Sequence, residues 1–399
     1  MRTAAYGQPL QAPAASLFGG LAALLAFAVL LIGQATPDDR LLAGGFPLNS
    51  ALFAGAAIWA FFLPIPAGLR TAVGLMNLLL LPLLLTALWS LDPATGLHKV
   101  GNLLLSATLA SLLAGIAVSY IGLQVTLRWW LATLAVLLGM ALAYKLVFGF
   151  ADRDVPFLIL GPIVFARFMG LGAILAAFTL TGPARLLGAG AFALAVLWTA
   201  SKGPLLALAV VAVIAGLSAS GARTRVATAV LAALIAVAVV VAADWLRTQP
   251  AFSRFFVALQ ILDAGLDEAN WGSIGSRLEL LVASLRQIAM RPLGVGVGSW
   301  APSTGLEWAE YPHNFFMEVL AEGGLIAGSL AVAPFMWFLV SEQRVLTACC
   351  MFLAIGQQFS GDLLDSRIWL ALATLAVALR IERSRRRGSL SRLTTGPES

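Results

Sequence analysis

The sequence predicts an all-α polytopic membrane protein of about twelve transmembrane helices, with one large outer loop that contains an amphipathic helix. Three observations predict it. Of the 399 residues, 60% are hydrophobic and only 11% charged, whereas about a quarter of a soluble chain is charged. Apolar runs of about 18 residues or more, enough to cross a bilayer, recur along most of the length. Acidic and basic residues also segregate into alternate turns.

The spans are expected at 15–34, 42–63, 70–90, 98–120, 127–149, 156–180, 185–200, 202–219, 226–247, 313–340, 345–360 and 367–381. The seventh and eighth meet at "WTASKGP", where Pro204 suits a helix start. The tail "RIERSRRRGSLSR" is densely basic and belongs on the cytoplasmic side. An even number of spans then puts the N-terminus there too. The inner turns carry Arg70, Arg128, Arg185, Arg223, Arg225 and Arg344 against Glu342 alone. The outer turns carry Asp38, Asp39, Asp92, Asp152, Asp154, Asp362 and Asp365. Residues 248–312 form the one long connection, on the outer side. Within it, Leu278, Leu281, Val282, Leu285 and Ile288 recur at helical spacing, with Arg277 and Arg286 to the side. That pattern predicts a helix lying in the outer membrane interface.

Composition also excludes some classes. The two cysteines, Cys349 and Cys350, are adjacent within a span, so neither a disulfide framework nor a metal site is expected. No cofactor is expected. The net charge of +6 is largely membrane-edge arginine and is no nucleic-acid signal. The first 14 residues carry one Arg and no small-residue cleavage site, so no cleaved leader is expected.

The chemistry-bearing stretch is "YPHNFFMEVLAEGGLIAG", from Tyr311 to Gly328. Pro312 predicts a helix start, which puts His313 in the first turn. The positive end of a helix disfavours imidazolium, and a neutral ring there can act as a general base. An interfacial histidine in a polar rim is the other reading. Glu318 and Glu322 lie about 140° and 180° around a straight helix from His313, so neither braces it. Asn314, Glu318 and Glu322 share a face. Glu322 lies about 13 Å below His313, and Arg167 in "GPIVFARFMG" about 16 Å into its own span. These depths predict a buried, structural Arg167–Glu322 pair. Lys202, Arg277, Arg286 and Arg291 sit at the outer surface, where they suit either a diphosphate or lipid headgroups. "GVGVG" (Gly294, Gly296, Gly298) reads as a tight turn where backbone meets backbone. His98, with Asp92 and Lys99, is expected in an outer loop or cleft, and Lys145 is expected to snorkel from its span end.

Three segments together resemble the O-antigen ligase and polymerase superfamily of bacterial envelope glycan assembly. They are "SKGPLLAL" from Ser201, "SRLELLVASLRQIAMRPLGVGVGSW" from Ser276 and "HNFFMEVLAEGGLIAG" from His313. "SGDLLDSRIWL", "WSLDPATGLHKVG" and "GPIVFARFMG" are similar to further family segments. The resemblance implies metal-independent, inverting glycosyl transfer at the periplasmic face of the inner membrane. The donor would be a glycan on undecaprenyl diphosphate. The acceptor would be lipid A–core for a ligase, or another lipid-linked repeat unit for an O-antigen or exopolysaccharide polymerase. It implies His313 as base, with Arg277 and Lys202 on the diphosphate, where Lys202 replaces the family's arginine. Arg286, Arg291, Asn314 and Glu318 are the further substrate-binding candidates.

The organisation that follows is an N-terminal bundle at 1–200, a ligase-like region at 201–345 that includes the periplasmic loop 248–312, helices at 346–381 and a basic tail at 382–399. A transporter with Arg167 and Glu322 on an ion path is the reading of another class. It finds no support in an internal repeat or in paired broken helices.

Overall fold

The computed structural model of the protein describes residues 13–32, 48–149, 161–218, 272–306 and 308–394, with isolated positions between 221 and 230. The ninth expected span is described only at such positions. The outer loop up to 271, together with Asp38, Asp39, Asp152, Asp154 and Arg223, lies outside the described residues.

Every described element is helical. In chain order they are α1 (Pro13–Ile32), α2 (Leu48–Phe62), α3 (Ala67–Leu85), α4 (Pro93–Ile121), α5 (Leu123–Phe148), α6 (Gly161–Thr179), α7 (Gly182–Trp198) and α8 (Lys202–Leu217). Then come α9 (Gly272–Met290), α10 (Trp300–Thr304), α11 (Phe315–Val332), α12 (Arg344–Ser360) and α13 (Arg367–Thr394). Among the described residues, five helical stretches are long and apolar enough to cross a membrane: 67–89, 93–121, 123–148, 161–179 and 315–340. Shorter apolar helices run Ser16–Leu31, Gly182–Trp198 and Lys202–Leu217. Among the described residues the protein is thus all-helical, with helices that suit a membrane protein. The last helix continues to Thr394, well into the basic segment expected as a tail.

Packing follows the apolar pattern. α1 lies against α4 and α5, α6 against α7, α8 against α12, and α13 against α3 and α4. The outer surface is itself apolar, with Phe61 and Leu88 each 83% exposed. That inversion of the soluble pattern suits a hydrocarbon environment. At the centre, the Trp369 ring is fully buried and packs on Phe315 at 5.2 Å and Phe335 at 5.1 Å. This knot ties the start of α11 to the start of α13 and fixes where the residues before α11 emerge.

The two ends of the bundle differ in chemistry. At one end Arg380 donates to the Val340 carbonyl, Arg383 pairs with Glu342, and Glu382 accepts from the Gly68 N–H. The opposite end gathers the starts of α4, α6, α8, α11 and α13 with the end of α12, and it holds every candidate described next.

Candidate active site

His313 is not in the first turn of α11. Its φ is +54°, a left-handed conformation that no helix continues. The helix begins at Phe315, with Asn314 as N-cap accepting from the Met317 N–H at 3.1 Å. The expectation built on Pro312 gives way here to the stronger capping preference of Asn. A non-glycine residue at positive φ is costly and collects at functional sites. Among the described residues only Ala200 shares this feature, one residue before Ser201–Lys202.

The His313 ring is partly buried, and its Nδ1 is enclosed without a hydrogen-bond partner. Burial, then the Arg277 guanidinium nearby, push its pKa below the ordinary 6.5, against an opposing pull from Asp365. The expected neutrality therefore stands on desolvation and Arg277, and not on a helix dipole.

Glu318 and Glu322 are both buried, and each has its own partners. Glu318 pairs with Lys99 at 2.8 Å and accepts from the Leu363 N–H at 2.7 Å. It is fully buried, so a direct contact with substrate would require breaking that pair. Asn314 is equally committed, since its amide also donates to the Gln358 carbonyl at 3.2 Å. Both residues, expected on the substrate, are held in contacts with other segments of the protein. Glu322 accepts from the Trp300 N–H at 3.1 Å. The backbone carbonyls of Ala321 and Glu322 take the N–H groups of Val295 and Gly296 at 3.0 and 2.9 Å. Those carbonyls are free because α11 breaks at Gly324, where φ is 70° and ψ −176°. The "GVGVG" segment is thus a backbone clasp threaded into a broken helix, as the tight-turn reading expected.

The Arg167–Glu322 pair does not form. Arg167, only 4% exposed, binds Asp365 at 2.9 Å and Ser360 at 3.1 Å. Matching depth fixes one coordinate of three, and Asp365 approaches from the turn before α13. Removing one partner of a buried pair costs about 3–5 kcal/mol. Asp365→Ala should therefore lower the thermal midpoint of detergent-solubilised protein, measured by fluorescence-detected size exclusion. The swap Arg167→Asp with Asp365→Arg should recover much of the loss, whereas exchanging Arg167 and Glu322 should recover none.

The cations divide into groups. Arg277, on α9, is half-buried beside Tyr311 and His313, and burial lowers its pKa. Among the described residues no carboxylate pairs with it. Arg286 and Arg291 instead line an open groove of about 1210 Å³ on another side of α9, with Glu279, Gln287 and Ser303. On α9 itself, Leu280 and Ser284 are buried and Ser284 accepts from the Trp300 indole at 2.9 Å. Leu278, Val282 and Leu285 are 47%, 56% and 50% exposed, an outward apolar stripe that suits the expected interfacial helix. Lys202 starts α8. The adjoining Ser201 hydroxyl donates to the Pro162 carbonyl at 3.3 Å, and Gly203 packs on Phe359. Phe359 adjoins Ser360, so the Lys202 turn shares its end of the bundle with the Arg167–Asp365 pair.

Sequence reasoning missed two participants. Lys99, assigned with His98 to an outer loop or cleft, turns inward to Glu318, while His98 pairs with Asn102 on the surface. Its signal was its place, near the start of a span, at the level of the His313 turn. Asp362 was read only as an outer-turn charge. Burial, then Asp365 and Glu318, push its pKa up to about 8. Lys145, expected to snorkel, is 2% exposed and stands over the Trp198 ring at 5.4 Å.

A neutral imidazole and an unpaired guanidinium, backed by a buried lattice of charge pairs, can take a proton and stabilise an anion at one place. No curated protein matches the chain. Residues 187–332 match the family profile described as O-antigen ligase, a stretch that holds Lys202, Arg277, His313 and both glutamates. Over that stretch the chain is similar to the O-antigen ligase family, which supports the resemblance read from its sequence.

Proposed function

We propose that the protein is a metal-independent, inverting glycosyltransferase that moves a glycan from undecaprenyl diphosphate to an acceptor hydroxyl. The observation that carries this reading is Arg277, a half-buried guanidinium with no carboxylate partner among the described residues, next to a neutral His313. In the reaction His313 takes the acceptor hydroxyl proton. The acceptor oxygen bonds to the anomeric carbon as the bond from that carbon to the diphosphate oxygen breaks. The diphosphate leaves with the bonding pair, and its charge is met by Arg277 and Lys202. Lys202 supplies charge without the bidentate fork of arginine.

The sidedness follows from charge. The arginine-rich end of the bundle is assigned to the cytoplasm, with both termini, and the His313 end to the periplasmic face of the inner membrane. The acceptor is assigned as lipid A–core, which makes the chain a ligase. A polymerase joining lipid-linked repeat units would use the same groups.

A deletion strain complemented with variants tests this reading. Arg277→Ala and Lys202→Ala should each cut transfer about 100-fold, as removal of one oxyanion donor does, whereas Lys202→Arg should retain it. Normal transfer by Lys202→Ala would move the diphosphate role elsewhere. In the deletion strain, free lipid-linked long chains identify a ligase, and single repeats on the core identify a polymerase. Unchanged lipopolysaccharide with lost extracellular polymer identifies an exopolysaccharide polymerase.

A further inference from the structure

A histidine base is normally held by a hydrogen bond at its second ring nitrogen, which fixes tautomer and aim. His313 has no such partner among the described residues, since its Nδ1 is enclosed and unpaired. Its backbone is left-handed and lies outside any helix, so no helical turn holds it. What touches the ring is Tyr311, edge to face, with centroids 4.3 Å apart and planes at 61°. The Lys99 ammonium lies 5.9 Å from the Tyr311 ring centre. Lys99 is in turn pinned by Glu318 at 2.8 Å, and Glu318 by the Leu363 N–H at 2.7 Å. The stack therefore runs from α4 through one aromatic side chain, Tyr311, to the base, and is anchored at its foot to the turn before α13.

We propose that Tyr311 is the positioning residue of His313, and that the Lys99–Glu318 pair holds Tyr311 in place. Aromatic packing replaces the hydrogen-bonding third member of a triad. The ring does the work, so the tyrosine hydroxyl is dispensable for aim. The ammonium sets the ring's position through cation–π attraction, and the carboxylate fixes the ammonium. This inference rests on the reading of His313 as the base, but its first test does not use transfer at all.

The test is carbethoxylation of His313 by diethyl pyrocarbonate in the full chain in lipid nanodiscs, quantified by mass spectrometry. His98, on the exposed surface with Asn102, serves as the internal reference. Tyr311→Leu should change the rate at His313 relative to His98 by about 3- to 10-fold, the factor that corresponds to losing one aromatic pair. Tyr311→Phe should leave it unchanged. Lys99→Met with Glu318→Gln removes both charges together, so neither is stranded, and should shift the rate in the same direction as Tyr311→Leu. A rate within twofold of native in both Tyr311→Leu and the double variant overturns the proposal. So does a Tyr311→Phe variant that behaves like Tyr311→Leu. In the transfer assay Tyr311→Leu should lower kcat about 10- to 100-fold with KM unchanged, since a misplaced base costs rate and not binding. A raised KM with native kcat would make Tyr311 a substrate contact and overturn its positioning role. If transfer survives loss of His313 while the labelling shifts hold, the base assignment fails and the stack stands.

Discussion

His313→Ala should abolish glycan transfer while the protein accumulates in the membrane at native levels. A positioned general base contributes about 10²–10⁴ in rate. Tyr311 is a poor substitute, because burial and the neighbouring carboxylates raise its pKa well beyond its ordinary value. Asp365 is engaged by Arg167, and Glu318 by Lys99. The side chain is expendable for folding, since its Nδ1 makes no hydrogen bond; the backbone strain at φ +54° stays in the alanine variant and is relieved only by glycine, which has no Cβ. His313→Gly should therefore accumulate at least as well as the alanine variant. The pH dependence is part of the same prediction. The imidazole's pKa is lowered from 6.5, so the neutral, active form persists into more acidic solution. The acidic limb of kcat/KM should lie below pH 6.5. Arg277→Ala removes a nearby positive charge and should move that limb upward, toward the value of free imidazole. Full transfer by His313→Ala, measured as glycan product in the complemented strain, would remove the assignment.

Much of the architecture was legible because hydropathy is a one-dimensional signal and membrane spans are one-dimensional objects. Five of the expected spans coincide with described helices long and apolar enough to cross a membrane, and the turns at Asp92 and at Asp362–Asp365 gather at one end. The clustering of His313 with Arg277 was legible only through the family resemblance, since the rest of α9, the glycine-rich turn and α10 separate them in the chain. What failed were arguments that needed azimuth or a local stop. Arg167 and Glu322 share a depth but face different neighbours, and Asp365, already assigned to the same outer side, was the missed alternative. The α11 start was misplaced by favouring Pro312 over Asn314, although an Asn just before an apolar run is the stronger cap signal. Glu318 and Asn314 drew attention as polar groups near a candidate base. Their partners, Lys99 and Gln358, come from segments far apart in sequence.

Gly324→Ala should be the most damaging single substitution in the clasp that holds the outer loop to α11. The residue sits at φ 70° and ψ −176°, a region open essentially to glycine alone. A Cβ there would strike the backbone of Leu293 and Gly294. That collision cannot be relieved by turning a side chain, so the two strands of the clasp must part. Parting them loses the bonds from Val295 to Ala321, from Gly296 to Glu322 and from Leu325 to Pro292, at 3.0, 2.9 and 2.8 Å. It also frees the Trp300 N–H from Glu322. Three or four hydrogen bonds at about 0.5–1.5 kcal/mol each, with backbone strain of about 1–3 kcal/mol, add to several kcal/mol. That is a large share of a typical protein's margin. The variant should fail to accumulate, or should lose its thermal transition in fluorescence-detected size exclusion. Gly294→Ala should behave alike, because its Cβ meets the Glu322 carbonyl from the other side of the same contact. Gly139→Ala is the control, since that glycine lies in α5 with open space around it. Native-like accumulation of Gly324→Ala would mean that α11 can run unbroken. Trp300, bonded to Glu322 and Ser284, would then need another anchor, and the placement of α9 with Arg277 next to the base would lose its physical cause.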